Sequence, residues 1–439
     1  MRILGVGHFN DLASMYRGFV ARGHEVRVFV ENPAYQCVYR GLLHITSDWR
    51  QDLQWIRDAG EDGLIIFECA DKGREQDELR KRGFRVVGGS QMGDKLEANR
   101  EYGQQTLRCI GLQTASNYSF SSYLDAICFL TCERGRYVLK FNGANHPRTR
   151  NYIGQVDDSS DMLALLKKYD KTRNEDEKPD FVLMKYVQGI EVGVGAYFNG
   201  REFLDSVCID FEHKRFFPGD LGELTGEMGT IVSYRGARKL FTAALAPLAG
   251  KLAESGYCGY INVNLMANDE GLWPLEFTSR FGYPGYAICE ALHVEPWEVI
   301  FQRMLARESL VMPTLDGFAA GVVLTVPPFP YTQGYEDLSK GEPVSFLPGL
   351  TPEDKTAIHF AEVELDDSLL VTSGASGYIG VATGKGDTIK AATDEAYRLS
   401  SHVVIPNLRY RLDIGHRVRA RDWHGLKSLG WLDDDAPLA

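Results

Sequence analysis

The chain has 439 residues, 44% of them hydrophobic and 25% charged. That balance supplies core enough for several domains and excludes a disordered or collagen-like chain. Lys and Arg total 48 against 60 Asp and Glu, a net charge of −12, which argues against a nucleic-acid polymer as partner, since phosphate neutralisation supplies most of that affinity.

The chain opens on a strand-like run, Arg2 to Gly7, with neither the long apolar middle nor the small-residue cleavage site of a signal peptide. No apolar run reaches the roughly 18–20 residues of a membrane span. A cytoplasmic protein with no membrane partner is expected. The eight cysteines are irregularly spaced, and the nearest two, Cys128 and Cys132, lack a second pair to complete a zinc site. They are expected to be reduced and mostly buried.

The first 90 or so residues alternate strand and helix. Arg2–Gly7, Glu25–Val30, Gly63–Phe67 and Arg85–Gly88 read as strands, with helices over Asp11–Arg22 and Gln76–Arg82. The alternation predicts a parallel sheet of βαβ units. Met92 to Leu112 is helix-rich. Tyr137–Phe141, Phe181–Val187 and Glu191–Phe198 read as strands, and the charged stretch Asp170–Asp180 as a solvated loop. Ala237–Ser255 has the pattern of one long helix. Tyr260–Met266 and Leu272–Phe277 form a hairpin around Asn268–Gly271, and a region of strands from Ala319 to about Val381 precedes a helix near Ile389–Ser400. Leu432–Ala439 is acidic and is expected to fray. The basic run Arg409 to Arg421 is expected to be a solvated face or an interdomain contact.

Gly5-Val-Gly7 after the first strand invites a dinucleotide reading, with Glu31 at the end of the second strand where an acid would hold a ribose. Asn10, however, stands where that fingerprint needs its third glycine. Small residues that let the first helix approach the sheet account for the pattern equally well. A turn that binds a polar or anionic ligand at Gly7, His8 and Asn10 is the functional alternative.

A fuller set of groups lies between residues 100 and 290. Lys140 sits within an apolar strand and needs an anion, and Arg100 lies on the helix upstream. Met184, Lys185, Tyr186 and Val187 form an extended segment whose backbone and side chains can frame an adenine, with Glu191 spaced to reach ribose hydroxyls. The glycine-rich loop Gly222–Gly229, with Thr225, Gly226, Glu227 and Met228, follows the basic cluster His213, Lys214 and Arg215. Its backbone can approach an anion or a reacting carboxylate. Glu276, Thr278 and Arg280 share one strand face by two-residue alternation, with Asn262 and Asn264 on the facing strand. That order suits Mg²⁺ at Glu276 and Thr278 and an anion clamp at Arg280.

These motifs, in this order, resemble the ATP-grasp ligases, and within them the phosphoribosylamine–glycine ligase (glycinamide ribonucleotide synthetase) family. Leu96-Glu97 through Leu107 and Gly111–Ala115 resemble the opening of the family's ATP-grasp region; His213-Lys214-Arg215 with Thr225–Gly229 is similar to its H-K-R and T-G-G-M-G loop. Glu276–Gly282 is similar to its E-F-N-C-R-F-G motif, and Thr372–Gly374, Gly377–Val381, Glu395–Tyr397 and Asp413–Gly415 to its C-terminal domain. The resemblance implies an α/β chain with an N-terminal parallel-sheet (Rossmann-like) domain over 1–92 and an α+β ATP-grasp domain over 93–312. Within the latter, about 136–198 would form a flexible subdomain. A small mixed domain over 313–425 and an acidic tail over 426–439 complete the chain.

It also implies an ADP-producing carboxylate–amine ligase that works through an acyl phosphate, with ATP and Mg²⁺ (or Mn²⁺), an amino acid as carboxylate donor, small-molecule substrates, and a monomer or homodimer. Arg280, Lys140, His213 and Arg215 then fall to catalysis, and Arg100, Lys140, Lys185, Glu191 and Lys214, with Met184, Tyr186 and Val187, to the nucleotide. Gly7, His8, Asn10, Thr225–Gly229 and Arg280 fall to substrate, and residues 143–155 and 222–229 to a closing flap. The departures lie chiefly at the amine end. Gly7-His-Phe-Asn10 replaces the family's G-G-R-E-H turn, Phe67–Ala70 its G-P-E stretch, Asn142–Pro147 a Lys-rich flap, Thr278 an Asn and Tyr283 an Asp. Three alternatives follow: phosphoribosylamine–glycine ligase itself, a catalytically weakened nucleotide-binding protein, and the dinucleotide enzyme.

Overall fold

Five short apolar strands near the N-terminus pair in the order His44–Thr46, Glu25–Val30, Arg2–Gly7, Gly63–Phe67, Val86–Val87, all parallel, in a computed structural model that describes residues 1–142, 150–173, 178–309 and 311–438. The first strand is central and the chain winds outward to either side of it. The sheet therefore has a switch point at the carboxyl end of Arg2–Gly7, where α/β sheets form their crevices. A Cβ on Gly5 would lie 2.4 Å from the Tyr16 ring of helix Ala13–Ala21, so the glycine there serves close helix packing.

A second, antiparallel sheet of four strands (Asn117–Phe120, Phe181–Lys185, Tyr137–Phe141, Tyr152–Ile153) carries helices Tyr123–Cys132 and Ser160–Thr172 packed through Leu130, Leu139, Leu166 and Phe181. The third sheet has eight antiparallel strands. They run from Gly271–Thr278 and Cys258–Asn268 through Ile190–Asn199, Phe203–Glu212 and Gly229–Ser233 to Phe318–Thr325, Tyr378–Gly386 and Ile358–Phe360. The last three strands lie beyond residue 312, so one sheet joins the segments expected on either side of that point. Among the described residues no helix is long and apolar enough to cross a membrane.

Several local expectations change. The helical stretch after Met92 is two helices, Gln91–Ala98 and Arg100–Cys109, broken at Asn99, whose side chain accepts from the Tyr102 amide and caps the second. Ala237–Ser255 is not one helix. Pro247 has no amide hydrogen to donate, and a 3-10 turn at Ala246–Leu248 separates Arg238–Ala244 from Ala249–Glu254. The acidic tail is docked, not frayed: Leu432 is buried, its carbonyl accepts from Lys239, Asp433 accepts from the Arg238 amide, and Trp423 donates to the Pro437 carbonyl.

All eight cysteines are free, but Cys109, Cys128 and Cys132 are exposed, and only Cys208, Cys258 and Cys289 are fully buried. Arg411 in the basic run is buried against Asp413, Asp220 and the Arg215 carbonyl, an internal contact between the C-terminal segment and the central loop. The charged stretch before Asp180 starts as helix to Thr172; residues 174–177 lie outside the described set.

Candidate active site

Lys140 projects from the four-stranded sheet and Glu276 from the edge strand of the large one, and their charged groups lie 3.9 Å apart. Lys214 reaches the same carboxylate at 3.6 Å and also pairs with Glu191 at 2.7 Å and Glu212 at 3.1 Å. Asn264 lies opposite Glu276 in the strand register, and its amide nitrogen donates to Glu212 at 3.1 Å. Glu276, Thr278 and Arg280 are more open than Phe277 and Ser279 between them, as two-residue alternation requires.

The charge pattern is strongly coupled. Burial pulls the Lys140 ammonium below its usual range, opposed by Glu276. Burial acts the same way on Lys214, but Glu191, Glu212 and Glu276 outweigh it and hold that ammonium well above its usual value. Burial lowers Arg100, with Glu276 opposing, and one guanidinium nitrogen of Arg100 is enclosed without a hydrogen-bond partner. Asp210 is pushed up to about 7 by burial and by Glu212, while Asn262 donates to it at 2.6 Å. The crevice between the two sheets thus combines three cations with a row of carboxylates, an arrangement that can take polyphosphate and a divalent cation together.

Beside it Ala115, Val138 and Met184, with Ile153, Tyr186, Val187 and Leu275, form an apolar cluster. The Lys185 side chain points outward and its amide bonds to the Ser116 carbonyl, while the Arg136 guanidinium caps the Tyr186 ring at 3.8 Å. The cluster offers apolar surface to a flat ring, and Glu191 borders the crevice through Lys214.

The His213 ring nitrogens are engaged elsewhere, and Arg215 uses one guanidinium nitrogen within the loop. His213 is fully buried; its Nε2 accepts from the Gly415 amide at 3.2 Å, and its Nδ1 lies 3.2 Å from the Gly229 carbonyl. Burial lowers it to about 4, so the ring is neutral and pins the loop to the C-terminal segment. Arg215 donates to the Gly222 carbonyl at 2.5 Å. Within the loop, the Thr225 amide and hydroxyl both donate to the Lys214 carbonyl, the Met228 amide donates to the His213 carbonyl, and Glu227 is buried, held by the Thr230 hydroxyl and raised by burial. A Cβ on Gly229 would meet the Gly321 carbonyl at 2.4 Å, and its φ of 153° suits glycine. Of the two expected flap segments, residues 143–149 lie outside the described set.

At the N-terminal turn, a Cβ on Gly7 would strike the Glu68 carboxylate at 2.2 Å, and the same Glu68 accepts from the Asp11 amide at 2.8 Å. Burial raises Glu68 to about 8. His8 sits between Glu31 at 2.6 Å and Asp71 at 2.5 Å, and is raised chiefly by its bond to Asp71. Asn10 occupies the left-handed region at φ 64° and is buried. Asp11 is raised by burial and opposed by Arg280. Arg280 itself donates to Glu97 at 3.1 Å and is raised chiefly by that carboxylate, with Asp11 contributing.

The phosphoribosylglycinamide synthetase ATP-grasp (A) domain model matches residues 98–286, the stretch that holds the four-stranded sheet and five of the eight strands of the large one. Two similar proteins are phosphoribosylamine–glycine ligases. That of Halalkalibacterium halodurans is 25% identical over 78% of this chain and 79% of its own length, and that of Pseudomonas aeruginosa is 26% identical over 79% and 80%. The solved phosphoribosylamine–glycine ligase of Thermotoga maritima superposes with a TM-score of 0.67 at 21% identity, covering 94% of this chain and 99% of that one. In sequence and in fold the chain is similar to the ATP-grasp ligases. The biotin carboxylase domain of Hydrogenobacter thermophilus 2-oxoglutarate carboxylase, solved with MgADP, shares the fold at a TM-score of 0.61 and 12% identity, over 97% of each chain.

The sequence alone points to no site role for Glu212, Asp210, Glu97 or Asp11. Asp210 and Glu212 carried a usable signal, since two acids two residues apart at the end of an apolar strand share one face. Glu97 stands out only as part of a motif; its contact with Arg280 is long-range and leaves no local trace.

Proposed function

We propose that this ATP-grasp ligase couples ATP cleavage to amide formation between a carboxylic acid, an amino acid, and an amine. One observation carries the reading: Lys140, Lys214 and Glu276 converge from two sheets within 3.9 Å at the floor of one crevice. The carboxylate oxygen attacks the γ-phosphorus, ADP leaves, and an acyl phosphate forms. The amine nitrogen then attacks the acyl carbon, gives up a proton, and expels inorganic phosphate.

Lys140, Arg100 and Arg280 neutralise phosphoryl oxygens where negative charge gathers, which is where fixed cations contribute most. Met184, Tyr186 and Val187, with the Lys185 backbone, frame the adenine; Glu191, released from Lys214, takes the ribose hydroxyls. Lys214 balances the carboxylates when nucleotide is absent and turns to phosphate when it arrives. His213 and Arg215 act by holding the 222–229 loop. The donors Glu276, Glu212 and the Asn264 carbonyl, with Thr278, are hard oxygens of the kind Mg²⁺ prefers; they would hold it, and a bound Mg²⁺ supplies charge neutralisation at the transferring phosphoryl group.

Phosphoribosylamine and glycine are the second reading. The names of the relatives favour that pair over an unassigned one. The test is to incubate the protein with ATP, Mg²⁺, each amino acid and hydroxylamine. Hydroxamate together with ADP is expected, glycine being the first candidate. AMP and pyrophosphate, or no hydroxamate from any amino acid, would overturn the ligase reading.

A further inference from the structure

A cavity of about 190 Å³ opens at the carboxyl end of the central N-terminal strand, between the turn Phe9–Asp11 and the C-terminal segment. Phe9 and Tyr35 stand edge to face at 4.8 Å, and Tyr283 and Tyr378 pack at 5.0 Å. Asp11 and Glu362 are the charged residues in its lining; Lys, Arg and His are absent from it. The Asp11 carboxylate accepts no hydrogen bond from the described residues, whereas Glu362 is held by the Ala375, Ser376 and Gly377 amides.

The wall is also short of partners. The Tyr283 and Tyr378 hydroxyls and the Asn10 Oδ1 atom are enclosed and unpaired, and Asn10 is only 2% exposed. Enclosed polar atoms without partners mark a place where a ligand completes the hydrogen bonding. The cations around the lining are already committed: His8 lies between Glu31 and Asp71, Lys72 pairs with Glu31 at 2.9 Å, and Arg280, which opposes the effect of burial on Asp11, pairs with Glu97 at 3.1 Å. Arg280 couples electrostatically to Asp11 from the strand tip that ends the crevice, so the cavity adjoins the place where the acyl phosphate would form.

We infer that this cavity is the amine subsite, and that it takes a compact, unphosphorylated primary ammonium, held by Asp11 and faced by the Phe9, Tyr35, Tyr283 and Tyr378 rings. A phosphate ester would bring up to two negative charges beside two carboxylates with no cation in the lining, whereas an ammonium gains both an ion pair and ring faces. Asp11 then receives the proton that the nitrogen must lose before it attacks. The inference rests on the ligase reading and specifies its amine.

Binding is measured by calorimetry on the protein loaded with ADP and Mg²⁺, with tyramine as the aryl-alkyl ammonium probe and ribose 5-phosphate as the phosphate-bearing one. Tyramine is expected to bind and ribose 5-phosphate not to, a comparison that needs no variant. Asp11→Asn, nearly isosteric and checked by its melting temperature, is expected to weaken tyramine at least about tenfold. Tighter binding of ribose 5-phosphate, no binding of tyramine, or unchanged tyramine affinity in a folded Asp11→Asn protein would overturn the inference. The two failures are distinguishable: hydroxamate formation without tyramine binding sinks the amine assignment alone, and tyramine binding without hydroxamate sinks the ligase reading alone.

Discussion

The crevice between the sheets and the cavity at the N-terminal turn are both rich in carboxylates, but only one balances them. In the crevice, Lys140, Lys214 and Arg100 face Glu191, Glu212 and Glu276. In the cavity, Asp11 and Glu362 face tyrosines and phenylalanine, and the neighbouring His8 and Lys72 are spent on Glu31 and Asp71. The first arrangement suits a polyanion with its metal, the second a cation. On the proposed function the crevice takes the nucleotide, and the cavity beside the turn that begins Gly7-His-Phe-Asn10 takes a ligand of opposite sign.

The comparison breaks most sharply at Glu276. Glu276→Ala is expected to lower ATP-dependent turnover by about three orders of magnitude or more, since it removes an oxygen donor and the carboxylate facing both lysines. Steady-state ADP release with a melting curve checks this, and turnover near the wild-type level in a folded protein would remove Glu276 from the site.

Lys214→Met is the next largest. It leaves three carboxylates without their shared cation, and breaking a partly buried pair of this kind costs on the order of 3–5 kcal/mol at most. A lower melting temperature is expected, part of it regained on adding Mg²⁺; a melting temperature that ignores Mg²⁺ would argue against metal binding among these acids.

Much of the crevice was legible because strands write their faces into alternate residues. Glu276, Thr278 and Arg280 could be grouped from spacing alone, and Lys140 stood out as an ammonium inside an apolar run. The cavity was not legible in the same way. Asp11 and Glu362 meet only through packing of the first turn on the C-terminal segment, and Tyr283 and Tyr378 come together at 5.0 Å from separate elements. His213 illustrates a role that spacing does not disclose. A histidine beside a basic run reads as chemistry, but both ring nitrogens serve the backbone of Gly229 and Gly415. The split of Ala237–Ser255 at Pro247 was available in the sequence and was masked by the apolar periodicity on both sides of it.

A subtler difference between the regions is their pH response. Glu68, beneath the N-terminal turn, is raised to about 8 by burial, so between about pH 4.5 and 8 the folded protein holds a proton that the unfolded chain has released. Stability therefore falls as pH rises through that window, by at most about 1.4 kcal/mol per pH unit from this group. Glu68→Gln keeps an acceptor for the Asp11 amide and should flatten that slope, gaining on the wild type toward pH 8 in denaturant titrations. An identical pH slope in both proteins would show that Glu68 is ionised throughout. The smallest effect is expected from Cys128→Ser, an exposed free thiol, which should leave turnover and melting temperature within error.

The most direct test follows one oxygen atom. With glycine, or whichever amino acid the hydroxamate screen selects, labelled with ¹⁸O in its carboxylate, the account predicts inorganic phosphate carrying one ¹⁸O per turnover, because the oxygen that attacks the γ-phosphorus leaves with it when the amine displaces phosphate. Phosphate free of label, or label appearing in AMP, would contradict it.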